Sequence, residues 1–307
     1  MLICSEKMKF TKIRAPDFDL EKTLDSGQVF HWQKISDGFA GAIGDLAVWV
    51  KQQGGFLEVR CGATPQPTRQ RRALPRMIGD YFALDHPLAQ ICDSFPKDRV
   101  MNAARDFCRG LRIIRQPKWE CLATFICSSM KQVAHIRQIS LALRKRFGEQ
   151  RKIGNQLVYS FPPARRLAQA SEKELLECKL GYRGKNLRAT ARLVSSGQAD
   201  IEMWSALSDA ELRKQLCALP GVGPKIANCV MLFAYERLRA FPIDVWIERV
   251  LRQHYFSRRK RMTPQQVRQF TDTYFGEHGG YAQQYLFHHA RVASRIQRRA
   301  RSDAPYP

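Results

Sequence analysis

A chain of 307 residues with 44% hydrophobic and 10% aromatic content can bury a substantial core, which excludes a disordered polypeptide. Its 51 Lys and Arg against 28 Asp and Glu give a formal net charge of +23, a field that favours a polyanion, nucleic acid before an anionic membrane surface. No apolar run reaches the ~18 residues of a membrane-spanning helix, and the N-terminus is charged too early for a signal peptide. The nine scattered cysteines include no CxxC pair, which argues against zinc and against an exported disulfide framework.

From Leu24 to Arg60 the pattern is strand-like. Val29–Trp32, Phe39–Ala42, Leu46–Val50 and Phe56–Val59 are short β-type runs, and Asp37-Gly38, Gly44-Asp45 and Gly54-Gly55 separate them as turns, so an antiparallel sheet is expected. Ala63 to Pro75, rich in proline and arginine, reads as an exposed loop. Beyond it the character is helical to the end. Ile78–Phe82, Pro87–Ser94, Arg99–Arg109 and Trp119–Met130 carry apolar residues at helical spacing, and Val133, Ile136, Leu143 and Phe147 mark one face of a further helix. Ser171–Glu174 and Ser208–Glu211 match the capping box, and Thr263-Pro264 gives another helix start. The last helix is expected from Gly280 to Arg298. The pattern predicts an α+β chain with a sheet-bearing domain at 1–115, a helical domain at 116–298 and a disordered basic tail at 299–307.

The helical half contains Leu219-Pro220-Gly221-Val222-Gly223-Pro224-Lys225, a glycine hairpin between two helices. Gly221 and Gly223 permit close approach of backbone to another molecule, and the free N–H groups at the start of the next helix form an anion site suited to a DNA phosphate. Lys225 lies in that helix's first turn. The positive end of the helix dipole and a dry pocket both disfavour its ammonium form, which suits a nucleophilic amine. Asp244 is placed to cap a helix from Val245 to His254, with backbone donors keeping it ionised, and an ionised carboxylate can stabilise positive charge growing at a sugar C1′.

The segment Leu219 to Asp244 resembles the helix-hairpin-helix plus Gly/Pro-Asp signature of the DNA glycosylase superfamily. The wider chain is similar to the 8-oxoguanine DNA glycosylase/AP lyases: Leu24–Trp32, Arg115-Gln116-Pro117, Glu120-Cys121-Leu122, Phe125–Ser129 and Leu180–Arg183 resemble motifs of that family. The resemblance implies a TBP-like N-terminal antiparallel sheet domain followed by a helical catalytic domain. It also implies base excision repair by a bifunctional enzyme. Lys225 would be the nucleophile that expels the base and forms a Schiff base before β-elimination, with Asp244 assisting.

The base must be flipped out of the duplex to be reached. By resemblance its pocket is Cys229 and Phe287 on the two faces of the purine, Gln283 on its Watson–Crick edge and the Gly27 carbonyl. Oxidation turns N7 of guanine from an acceptor into an N–H donor, so a fixed carbonyl discriminates the lesion. Tyr182 and Arg183 match the wedge and one contact to the orphaned cytosine. Met130, Lys131, Gln132 and His135 replace the eukaryotic members' asparagine triplet and second arginine, and Trp246 replaces a histidine; Met130 would plug the gap in the stack, with a relaxed preference for cytosine expected.

No cofactor is expected: no cysteine follows Cys229, which excludes the iron–sulfur cluster of the endonuclease III relatives. A structural cation on the hairpin carbonyls of Cys217, Leu219 and Val222 is implied by the family. The expected partner is double-stranded DNA containing an oxidised purine, met by a monomer inside the cell and away from membranes, in cytoplasm or nucleoid if prokaryotic and in the nucleus if eukaryotic. Two other readings stand beside this one, a glycosylase of the same fold for other damaged bases and a non-catalytic helix-hairpin-helix DNA-binding module.

Overall fold

The computed structural model describes residues 10–62, 67–129, 131–256 and 262–302, with side chains for all of these except 67–72 and 295–302. Five strands, β1 (Thr11–Arg14), β2 (Gln33–Ile35), β3 (Gly38–Ile43), β4 (Leu46–Gln53) and β5 (Phe56–Cys61), form one antiparallel sheet in the order β1-β5-β4-β3-β2. Alternation gives it two covered faces. Val48, Val50, Leu57 and Val59 pack on Leu20 and Leu24 of α1 (Leu20–Asp25) and on Leu74 and Ile78 of α2 (Pro67–Tyr81). Ala47 and Trp49 point the other way, onto Ile153 and Val158 of the hairpin β6 (Gln150–Ile153) and β7 (Gln156–Tyr159).

The structure departs from the sequence reading in several places. Ala63–Pro75 is no loop over its described part: α2 starts at Pro67, where proline suits a first helical residue, and Leu74 and Ile78, one turn apart, bury on the sheet despite Pro75 between them. The run Val29–Trp32 is buried but unpaired, and the strand begins after it at Gln33. The hairpin β6–β7 interrupts the stretch expected to be helical throughout. The last helix continues to Ser302, through the first four residues of the expected tail.

The second half is a helical array around one large core. Its helices are α3 (Leu88–Asp93), α4 (Arg99–Phe107), α5 (Lys118–Cys127), α6 (Val133–Phe147), α7 (Ala164–Ala168), α8 (Glu172–Glu177), α9 (Arg183–Ser195), α10 (Asp209–Cys217), α11 (Pro224–Ala234), α12 (Val245–Val250), α13 (Pro264–Tyr274) and α14 (Gly279–Ser302). Capping boxes start α8, α10 and α13 at Ser171, Ser208 and Thr263, each serine or threonine hydroxyl accepting from the N3 amide. Helix α5 is buried on nearly every side and lies at the centre. The buried ion pair of Glu120 on α5 with Arg144 on α6 ties the array together, with the Arg144 guanidinium also donating to the Tyr159 carbonyl at 3.0 Å.

Candidate active site

Helix α10 ends at Ala218, and the chain turns through Leu219–Gly223 into α11. Gly221 is required on two counts: its φ is +80°, and a Cβ there would stand 2.7 Å from the Asn186 Cβ of α9. Thr190 holds the same turn by donating to the Pro220 carbonyl at 2.9 Å. Gly223 differs, because a Cβ on it would meet nothing within 4 Å. It caps α11 without a side-chain hydrogen bond, which leaves the helix's first amides without a capping side chain, the arrangement an anion can use.

Lys225 occupies the first turn of α11, and its Nζ donates to Ser128 Oγ at 3.4 Å while lying 5.2 Å from the centre of the Phe125 ring. Ser128 in turn donates to the Phe125 carbonyl at 2.7 Å, so the hydroxyl is oriented as an acceptor toward the amine. The Lys225 side chain therefore rests against an apolar wall at the end of α5, with Ser128 and the Cys229 thiol as polar partners.

Asp244 is the N-cap of α12, its Oδ1 accepting from the amides of Trp246 at 3.0 Å and Ile247 at 2.9 Å. Those donors and Lys225 favour the carboxylate, while burial, the larger effect, pushes the Asp244 carboxyl above its ordinary range, a contribution that capping alone does not reveal. Burial likewise raises the Cys229 thiol, opposed by Lys225 one turn away. Lys225, Cys229 and Asp244 are thus within electrostatic reach of one another, and the structure brings the three together.

The remaining pocket residues come from the other ends of the chain. Helix α14 crosses α11 where a Cβ on Gly280 would touch Leu232 at 2.3 Å; Gln283 and Phe287 follow at i+3 and i+7 on the same stripe. Gln283 is 4% exposed and its amide oxygen is buried without a hydrogen-bond partner among the described residues. Gly27 lies against Phe287: its φ is +84°, and an added Cβ would stand 3.0 Å from Phe287 Cε1 and 3.5 Å from Val133 Cγ2. Both the backbone angle and the close Phe287 ring therefore disfavour a side chain at this position.

The orphaned-base residues are placed less uniformly. Tyr182 is 60% exposed at the start of α9. Arg183 is buried, donating from Nε to the Ser129 carbonyl at 2.8 Å and from Nη1 to that of Leu180 at 3.3 Å, with its guanidinium 4.4 Å from the Tyr182 ring centre. His135 is exposed in the first turn of α6, and Met130 lies outside the described residues. Trp246 has the Arg249 guanidinium 5.5 Å over its ring. The sequence reading missed Ser128 as the partner of Lys225, although it falls inside the quoted Phe125–Ser129 motif. It also missed Asp25, Arg137 and Arg291 around Gly27.

Residues 11–122 match the family described as "8-oxoguanine DNA glycosylase, N-terminal domain", and residues 123–275 match "HhH-GPD superfamily base excision DNA repair protein". The solved structure of "MBOgg1 in complex with low affinity DNA ligand" is 31% identical with a TM-score of 0.84, covering 94% of this chain and 100% of that one. The Clostridium acetobutylicum 8-oxoguanine glycosylase/lyase, solved with double-stranded DNA containing cytosine opposite 8-oxoG, is 26% identical with a TM-score of 0.82, covering 93% and 98%. The N-glycosylase/DNA lyase OGG1 of Arabidopsis thaliana is 29% identical over 297 residues, covering 90% of this chain and 78% of its own.

Proposed function

The chain belongs to the 8-oxoguanine DNA glycosylase family of the HhH-GPD base excision repair superfamily, and from that membership we propose that it excises 8-oxoguanine from duplex DNA as a bifunctional glycosylase and AP lyase, acting as a monomer where its DNA is, inside the cell. The observation that carries this reading is the grouping of Lys225, Cys229 and Asp244 within electrostatic reach of one another, and the packing of Gly27 against Phe287, one turn after Gln283 on α14, supports it.

The neutral Lys225 amine attacks C1′ as the C1′–N9 bond breaks and the base departs with the bonding pair. The resulting aminal opens to a Schiff base, and loss of a C2′ proton then expels the 3′ phosphate by β-elimination. The ionised Asp244 carboxylate stabilises the positive charge at C1′ while the base leaves. Cys229 and Phe287 enclose the flipped purine, and the unpartnered Gln283 amide oxygen supplies the acceptor its Watson–Crick edge requires. The open amides of α11 beyond Gly223 take the DNA phosphate.

Hairpin carbonyls suit a hard monovalent or alkaline-earth ion: those of Cys217, Leu219 and Val222 would hold it, the Leu219 oxygen already accepting from the Val222 amide at 3.1 Å and keeping a second lone pair. Such an ion helps hold phosphate and takes no part in bond breaking.

On the orphaned-base side the Arg183 guanidinium is held inward by two carbonyls, and His135 stands where the eukaryotic members have an arginine. Both features weaken readout of cytosine. The test is single-turnover excision from duplexes carrying 8-oxoguanine opposite each of the four bases. Cleavage opposite all four, with cytosine favoured by less than about tenfold, about 1.4 kcal/mol, is the expected result. Excision of alkylated bases with none of 8-oxoguanine would refute the substrate assignment.

A further inference from the structure

The backbone around Gly27 is fastened on both sides of one free acceptor. The Ser26 carbonyl accepts from Gln284 Nε2 at 2.9 Å, and the Gln28 carbonyl accepts from Gln116 Nε2 at 2.8 Å. The Asp25 carbonyl accepts from Arg291 Nη2. The Gln28 side chain adds bonds to the Thr23 and Arg112 carbonyls and to the Ile114 amide. Among the described residues the Gly27 carbonyl is the one in this run that accepts no hydrogen bond.

Asp25 is where three parts of the fold meet. Its carboxylate accepts from Arg137 of α6 at 2.8 Å and from Arg291 of α14 at 3.3 Å. Arg137 lies one turn after Val133, the residue that packs on Gly27. Arg291 lies one turn after Phe287, and its guanidinium is 5.9 Å from the Phe287 ring centre. His288 contacts the same guanidinium through Nδ1 at 3.2 Å. Burial and the Arg291 charge hold His288 down to about 4, so at neutral pH it is an uncharged neighbour able to accept from the arginine.

We propose that the Asp25–Arg137–Arg291 clamp is a positioning device that fixes the Gly27 carbonyl, and through it the preference for oxidised over normal guanine. The inference rests on the proposed 8-oxoguanine reading. A carbonyl rewards N7–H and repels an N7 lone pair only if it cannot retreat, because a shift of a few tenths of an ångström relieves the repulsion and stretches the bond together. Gly27 has no side chain to hold it and a φ of +84°, so its stiffness must come from its neighbours. The two arginines come from the helix beside the orphaned base and the helix that carries the base pocket. The clamp therefore links both sides of the flipped nucleotide to the atom that reads the lesion.

The test separates reading of the base from chemistry at the sugar, since β-elimination at a preformed abasic site uses Lys225 without any base to recognise. Asp25→Asn and Arg291→Lys are measured on 8-oxoguanine duplexes, on the matched guanine duplexes and on abasic duplexes. In each variant, 8-oxoguanine excision is expected to fall about tenfold or more and the binding preference for 8-oxoguanine over guanine to shrink, while abasic-site nicking stays within about twofold. Excision left unchanged, or excision and nicking lost in parallel with a lowered Tm, would overturn the positioning role. Arg137→Lys, at a half-exposed position, repeats the measurement should the Arg291 variant fold poorly. An unsubstituted protein that nicks abasic DNA but leaves 8-oxoguanine in place overturns the substrate reading as well, whereas normal excision with insensitive variants overturns the clamp alone.

Discussion

At Asp244 the fold sets burial against two backbone donors and a lysine, and the net effect raises the carboxyl above its ordinary range. The folded state then binds this proton more tightly than the unfolded chain does. Stability falls as pH rises through the window between the unfolded and folded values, and above that window the protein carries the carboxylate at a cost. Asp244→Asn keeps an oxygen for the Trp246 and Ile247 amides and removes the charge. At neutral pH its Tm is expected to equal or exceed that of the unsubstituted protein, while single-turnover excision falls by roughly 10²–10³-fold. In the unsubstituted protein, excision should rise with pH across the raised Asp244 range, and this limb should be absent from Asp244→Asn. A lowered Tm with excision retained would make Asp244 a structural cap only.

The placement of Lys225 and Asp244 at helix starts was legible in the sequence because the local signals are short range: hairpin glycines just before the one, a helix start just after the other. The Asp25 clamp was not, since its partners lie 112 and 266 residues away and an arginine carries no mark of where its guanidinium lands. The capping of Asp244 was foreseen, but its charge balance depends on burial, which capping chemistry does not reveal.

At the scale of elements, the position of α5 decides the site, because its last turn supplies Phe125 and Ser128 to Lys225 and its first turn carries Glu120. The Glu120–Arg144 pair fixes α5 against α6, with His31 Nδ1 3.4 Å from the same Glu120 carboxylate. Burial and the Arg144 charge lower the His31 pKa, so His31 is neutral here and Arg144 is the partner that matters. Removing one member of a buried pair strands the other. Arg144→Met is expected to lower unfolding stability by about 3–5 kcal/mol in urea melts, and combining it with Glu120→Gln to recover part of the loss. A single substitution costing under about 1 kcal/mol would show the pair to be dispensable.

Helices with capping boxes were readable from sequence, as was the antiparallel sheet, because serine with glutamate three residues on, and glycine turns between β-branched runs, are local rules. The β6–β7 hairpin was not. Its strands have four residues each, interspersed with Arg151 and Lys152, and they become strands by covering Trp49 of a sheet about a hundred residues earlier. Helix α2 was hidden by its prolines for the same reason: the burial of Leu74 and Ile78 on the sheet offsets what local propensity disfavours.

Across the whole molecule, the proposed base pocket draws on both the sheet side and the helical array. Gly27 follows α1 on the sheet side, Lys225 and Cys229 come from α11, and Gln283 and Phe287 from α14. The surrounding charge of +23 suits a polyanion but does not choose a base; in the proposed function that choice falls to residues separated by most of the chain.

The proposed covalent nucleophile is Lys225, and borohydride trapping measures that role directly. Reduction of the protein with duplex DNA containing 8-oxoguanine should give one protein–DNA adduct, with the peptide containing Lys225 carrying the sugar, and Lys225→Gln should give none while still binding the duplex. An adduct that persists in Lys225→Gln, or no adduct from the unsubstituted protein on DNA that it cleaves, would contradict that role for Lys225.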